Sequence, residues 1–155
     1  MNLYVKSIFH QLQVANESLL ELMGQIDVNL LDEKTDENKR TIRELLAHIV
    51  VIYAADYYIM EGSTQEEMND FYKNHIPYSI EEMRLELDRN FNFLREQVST
   101  FSEQDLTELK TSWWGVTYSR FEWLVEIVAH IYHHRAQLHT MLIEIGTHPQ
   151  VRLFE

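Results

Sequence analysis

The sequence predicts an all-α fold, a bundle of four long helices, and three observations carry that expectation. Only four glycines and two prolines occur among 155 residues, too few for the turn-rich connections of a sandwich or barrel. Apolar residues recur at helical spacing almost throughout the chain. Three Ser/Thr-x-x-Glu sequences mark helix starts, where a hydroxyl and a carboxylate each satisfy a helix-end amide.

The first long helix is expected from near Asn2 to the late twenties, with Leu3, Ile8, Leu12, Ala15, Leu19 and Leu22 on its apolar face and Gly24 weakening its last turn. A polar connection, Asp32 to Arg40, follows. Thr41-Ile42-Arg43-Glu44 opens a second helix that Gly62 stops. Ser79-Ile80-Glu81-Glu82, just after Pro77, opens a third that runs to about Thr100, and Ser119-Arg120-Phe121-Glu122 opens a fourth that ends at Gly146 before Pro149. A short extra helix fits Thr64 to Asn74, and Ser102 to Tyr118 reads as a long crossover with a helical turn at its start. There is no fixed-period repeat or low-complexity linker, so residues 1–155 read as one domain.

Composition removes several classes of function. With 13 Lys+Arg against 25 Asp+Glu, the net charge of −12 repels the phosphates of nucleic acid and of anionic lipid. The absence of cysteine removes disulfides, thiolate ligands and cysteine nucleophiles together, so any thiol chemistry must use a thiol from outside. Neither a signal peptide nor an apolar run of about 18 residues is visible, and the expectation is a soluble, cytoplasmic protein.

The eight histidines invite the functional question. A wheel at ~100° per residue places Leu124, Ile127, Ile131, Leu138, Leu142 and Ile145 on the core stripe of the fourth helix. His134 falls inside this stripe and His130 at its edge, whereas His133 faces the polar side with Glu122, Glu126, Gln137 and Thr140. His130 and His134 stand one turn apart, so their ring nitrogens can converge on one ion at ~2.0–2.1 Å. On the second helix, whose stripe is Leu45, Ile49, Ile52 and Ile59, His48 also points inward.

A lone inward histidine is ordinarily a hydrogen-bonded core residue, and an isolated His-x-x-x-His is a weak signal. Three together weigh differently. Three buried imidazoles without a partner would strand polar nitrogens at ~1–3 kcal/mol each, while one cation satisfies a nitrogen from every ring. His48, His130 and His134 are therefore the expected metal ligands, and no catalytic acid or base is identifiable. His10, His75, His139 and His148 read as surface or structural.

Asp56, on the core-facing stripe two turns beyond His48, reads as the partner of a buried Arg, Tyr or Trp group. Arg135 is expected to snorkel to solvent. Trp113, Trp114 and Tyr118 close one end of the core or roof a pocket above the metal. The acidic pairs Glu66-Glu67 and Glu81-Glu82 read as solvated helix starts.

The run His130-Ile131-Tyr132-His133-His134-Arg135-Ala136-Gln137-Leu138 resembles the His-x-x-His-His-Arg-Gly-Gln-hydrophobe signature of the DinB/YfiT-like superfamily, and Thr41 to Ile49 resembles its helix-two motif. The motif glycine is Ala136 here, on the polar side of the wheel, where it leaves the ligands alone. The resemblance implies a four-helix bundle, commonly a homodimer, with a divalent metal on His48, His130 and His134. The superfamily contains transferases and isomerases that use low-molecular-weight thiols such as bacillithiol, mycothiol or glutathione.

The leading expectation is then a metal-dependent S-transferase acting on a small-molecule substrate, with zinc, nickel or iron in an open three-histidine site and a low-molecular-weight thiol as cosubstrate. Hydrolysis by water activated at the same ion is the alternative within enzymes. Outside them stands a non-catalytic, metal-binding or stress-related bundle acting through a partner.

Overall fold

A computed structural model describes residues 2–36 and 40–155; of the expected polar connection, positions 37–39 lie outside the described residues. The four long helices are α1 (Leu3–Met23), α2 (Ile42–Met60), α4 (Ile80–Ser99) and α6 (Arg120–Glu144). Between them lie a 3₁₀ turn (Val28–Leu30), a short α3 (Gln65–Asn74), a one-turn α5 (Glu103–Thr107), and strands β1 (Leu109–Thr111) and β2 (Thr117–Ser119).

Local chemistry sets most of these boundaries. The boxes at Thr41/Glu44 and Ser79/Glu82 form reciprocally, as do two further ones at Thr64/Glu67 and Ser102/Asp105. At α6 the Ser119 hydroxyl accepts from the Glu122 amide at 3.2 Å, which is the hydroxyl half of the expected box. Gly62 and Gly146 adopt φ of +95° and +89°, so the amides of Ser63 and Thr147 reach back to the carbonyls of Tyr58 and Leu142. Both helices thus end in the Schellman arrangement, which glycine permits without a Cβ penalty.

α2 packs mainly on α4 and α6, and α1 on α6 and α4, so α1 and α2 occupy one diagonal of the bundle and α4 and α6 the other. The connection from α4 to α6 therefore crosses a diagonal, whereas that from α2 to α4 joins neighbours. The core stripes are largely as expected: Leu12, Ala15, Leu19, Leu22, Leu45, Ile49, Leu124, Ile127, Ile131, Leu138 and Leu142 are all fully buried, while Ile145, the cap of α6, is only partly so. Each such aliphatic residue larger than alanine contributes ~1.5–3 kcal/mol relative to exposure. Two assignments are corrected. Leu3 is exposed because it opens α1 beyond the end of the packed stripe, and the helix stops at Met23, with Gly24 as its cap.

The crossover differs most from expectation, since its second half is a hairpin that pairs Leu109 with Ser119 and Thr111 with Thr117. The start of α6 holds it in place. Trp123 Nε1 donates to the Lys110 carbonyl at 3.0 Å, and the Arg120 amide donates to the Glu108 carbonyl at 3.0 Å. Beneath the hairpin, the Arg120 guanidinium bonds both carboxylate oxygens of Glu61 at 2.6 and 3.0 Å, the Asp105 carbonyl at 3.2 Å and the Glu108 carboxylate. This hub ties α2, α5 and α6 together.

Arg135 is a further correction. Instead of reaching solvent it is buried, donates to Ser18 Oγ at 3.0 Å, and lies over the rings of Tyr132 and Phe154 at 4.2 and 5.1 Å. Partners on α1 and at the chain end, far away in sequence, cover a charge that the helix alone would leave wet.

Candidate metal centre

His48 is carried by α2, and His130 and His134 by α6, two helices packed side by side. All three rings are half-buried, and one nitrogen from each lies within 4.8 Å of the others. The structure thus brings together the three residues singled out from the sequence. Histidine 133 is exposed, as its place on the wheel requires. His10 pairs with Glu155 at 3.2 Å and His75 bonds the Phe71 carbonyl at 2.8 Å, so both act as structural residues away from the cluster.

The outward nitrogens of the α6 pair are committed. His130 Nδ1–H donates to Asp56 at 2.7 Å, and His134 Nδ1–H donates to the Gln137 side-chain carbonyl at 2.9 Å. Both bonds leave a bare Nε2 facing inward, which is the arrangement that orients metal-binding imidazoles. The Nε2 atoms of His48 and His134 are 3.1 Å apart; since the Gln137 bond takes the His134 proton to Nδ1, a hydrogen bond across this gap requires the His48 Nε2 tautomer as donor. Two nitrogens at ~2.0–2.1 Å from one tetrahedral ion stand roughly 3.3 Å apart, so this pair is already close to the spacing of two ligands. The donor set fits a divalent ion of the zinc, nickel or iron type.

Asp56 is not the partner of an Arg, Tyr or Trp group, as its position suggested; it holds His130 across the α2–α6 interface. Gln137, read as part of the polar face, instead fixes His134 from the next turn. Its spacing of three residues from His134 was the available signal.

Electrostatics distinguish the three rings. Burial, reinforced by the charges of His134, Arg40 and His130, pushes His48 down to about 3. Burial also lowers His134, against the opposing bond from Gln137. For His130, burial pulls downward but the Asp56 hydrogen bond and charge outweigh it, with Glu126 adding, and the net shift is upward. At neutral pH His48 and His134 are therefore neutral, the form a metal takes.

Beside His130 opens a cavity of about 220 Å³, lined by Asp56, Ile59, Tyr72, Trp114, Trp123 and Glu126. Trp114 comes from the hairpin, so the roofing role expected of the crossover falls to it. Tyr118 packs edge-on against Trp123 with ring centroids 5.1 Å apart, behind that wall.

Comparison with known proteins decides the family. The sequence profile of the DinB superfamily matches residues 11–138. The chain belongs to the DinB superfamily. A solved structure described as a DinB-family member, from Exiguobacterium sibiricum 255-15, is 29% identical, covers 99% of each chain and superposes with a TM-score of 0.88. DinB-like proteins from Bacillus cereus ATCC 10987 (18% identity, 96% of this chain and 97% of the other) and Bacillus subtilis (14%, 94% and 95%) both superpose at a TM-score of 0.72 and share the fold. No curated protein matches the chain. Among the described residues, no helix is long and apolar enough to cross a membrane.

Proposed function

We propose that His48, His130 and His134 hold a divalent transition metal with an open position, and that this DinB-family protein transfers a low-molecular-weight thiol to an electrophilic small molecule. One observation carries the reading: three imidazoles converge while second partners fix two of them with their inner nitrogens bare. A divalent ion bound there supplies Lewis acidity that favours the conjugate base of a thiol near neutral pH.

The chain's own residues have distinct parts in this scheme. Asp56 retains the His130 Nδ1 proton and keeps that ring's inner face basic, and Gln137 does the same for His134. Trp114 and Trp123 wall the adjoining cavity and limit water beside the cluster. The chain has no cysteine, so the sulfur enters with the cosubstrate. A cytoplasmic location and a homodimer belong to the same proposal, which rests there on the family resemblance and on the absence of a membrane-length apolar helix.

The test is a titration of the cobalt-substituted protein with bacillithiol and with N-acetylcysteine, followed by visible absorption. Transfer predicts a saturable change in the cobalt bands and consumption of an electrophile only when thiol is present. Cleavage of an ester surrogate without thiol would replace transfer by hydrolysis, and bands that stay unchanged at saturating thiol would overturn the S-transferase reading.

A further inference from the structure

The cavity beside His130 has an unusual lining. Two indoles, one phenol and two carboxylates surround it, and neither lysine nor arginine is among its lining residues. Trp114 and Trp123 meet at an interplanar angle of 82° with centroids 6.4 Å apart, so they form two perpendicular walls of a corner. Trp123 is held rigidly: it is 4% exposed and its N–H is spent on the Lys110 carbonyl. Trp114 is 49% exposed and Tyr72 is 37% exposed, so ring surface remains for an incoming group.

Asp56 and Glu126 add negative charge to the lining, and both are felt at His130. Arg40 also acts on the histidines electrostatically, but it does not line the cavity. Apolar filling alone does not require two carboxylates, and an anionic group would meet both of them. His130 also lines the cavity and holds one oxygen of Asp56, so Glu126 and the second Asp56 oxygen are the acidic groups left to an incoming cation. Aromatic faces combined with such carboxylates, without lysine or arginine on the lining, are the chemistry that recognises an organic ammonium ion, through the ring quadrupoles and direct charge attraction. The volume suits a head group rather than a whole drug-sized ligand.

We propose that the Tyr72–Trp114–Trp123 corner, with Asp56 and Glu126, binds an ammonium group carried by the substrate or cosubstrate, next to the histidine cluster. The inference deepens the proposed function and rests on it only in placing the reacting centre at the histidines. Its consequence is a substrate class: amine-bearing or quaternary-ammonium molecules whose reactive atom lies beside the cationic group.

Choline is the probe, and its neutral isostere 3,3-dimethyl-1-butanol is the control, each titrated at constant ionic strength into the full chain while tryptophan fluorescence is followed. The expected result is saturable quenching by choline, with the isostere binding about ten-fold more weakly or less. Trp114→Ala should weaken choline about ten-fold and Glu126→Gln by several-fold; both positions are exposed, so folding is retained. Equal binding of choline and isostere, absence of saturation, or choline binding that neither substitution changes would each overturn the ammonium site. Zinc titration calorimetry on the same preparation separates the two readings. Zinc binding without choline selectivity removes only this inference, and choline selectivity without zinc binding removes the metal reading.

Discussion

In this DinB-family bundle the polar cluster around Arg120 and the one at the histidines are put together differently, and their contrast separates an internal joint from a candidate site. At Arg120, every bond runs from the guanidinium to an oxygen acceptor: Glu61, Glu108 and the Asp105 carbonyl. Opposite charges meet, and the cluster is complete in itself. At the histidines, the outer nitrogens of His130 and His134 are equally well paired, but three inner nitrogens face one another with one proton between two of them. Such a group has the donor arrangement that a cation could bridge. Burial therefore stabilises a joint in the first cluster and, in the second, gathers donors that suit a metal ion.

The largest expected effect falls on stability at the joint. Arg120→Ala should destabilise the metal-free protein by about 2–3 kcal/mol in urea denaturation, because half-buried Glu61 loses its two-oxygen partner and keeps only Lys110 at 3.4 Å. His48→Leu should leave the metal-free protein within about 1 kcal/mol of the parent, since it replaces a desolvated imidazole with an apolar group of similar size. Equal losses in both variants would erase the contrast.

Smaller effects sharpen it at the metal centre. Asp56→Asn should weaken zinc binding about ten- to hundred-fold by calorimetry, because the ring orientation of His130 depends on that carboxylate. Gln137→Ala should cost less, about ten-fold or below, since an amide oxygen is a weaker acceptor than a carboxylate.

The smallest effect is the pH dependence. Burial raises Glu61, but the bonds and charges of Arg120 and then Lys110 outweigh it and hold it below 4.5. Its contribution is therefore present above pH 4.5 and lost as pH falls through the lower folded value, so Arg120→Ala should flatten acid destabilisation in that range. His48, held at about 3 against 6.5 in the unfolded chain, stabilises above 6.5 and loses that contribution as pH falls towards 3. His130, shifted upward, has the opposite sign: its contribution is full below 6.5 and lost as pH rises through the folded value. Denaturation midpoints of the metal-free protein between pH 3 and 7 read the Glu61 and His48 windows, and His48→Leu should flatten the slope between about 3 and 6.5.

Helix existence and the histidine cluster were legible because both depend on local periodicity: the wheel sorts His130 and His134 from His133 without any tertiary information. What escaped depends on partners remote in sequence. Arg135 is buried by Ser18 and Phe154, and Asp56 finds His130 across 74 residues. The hairpin was missed because its strands are three residues each, too short for alternation to register, and its order comes from Trp123 and Arg120 on α6. Gln137 is the exception, a local partner misread because the wheel placed its Cβ on the polar side while its amide reaches back to His134.

The most direct measurement is zinc affinity of the parent protein and of the four alanine variants at His48, His130, His133 and His134. The account predicts one ion per chain, with more than hundred-fold loss at 48, 130 and 134 and almost none at 133. No bound ion, or equal losses at all four positions, would contradict it.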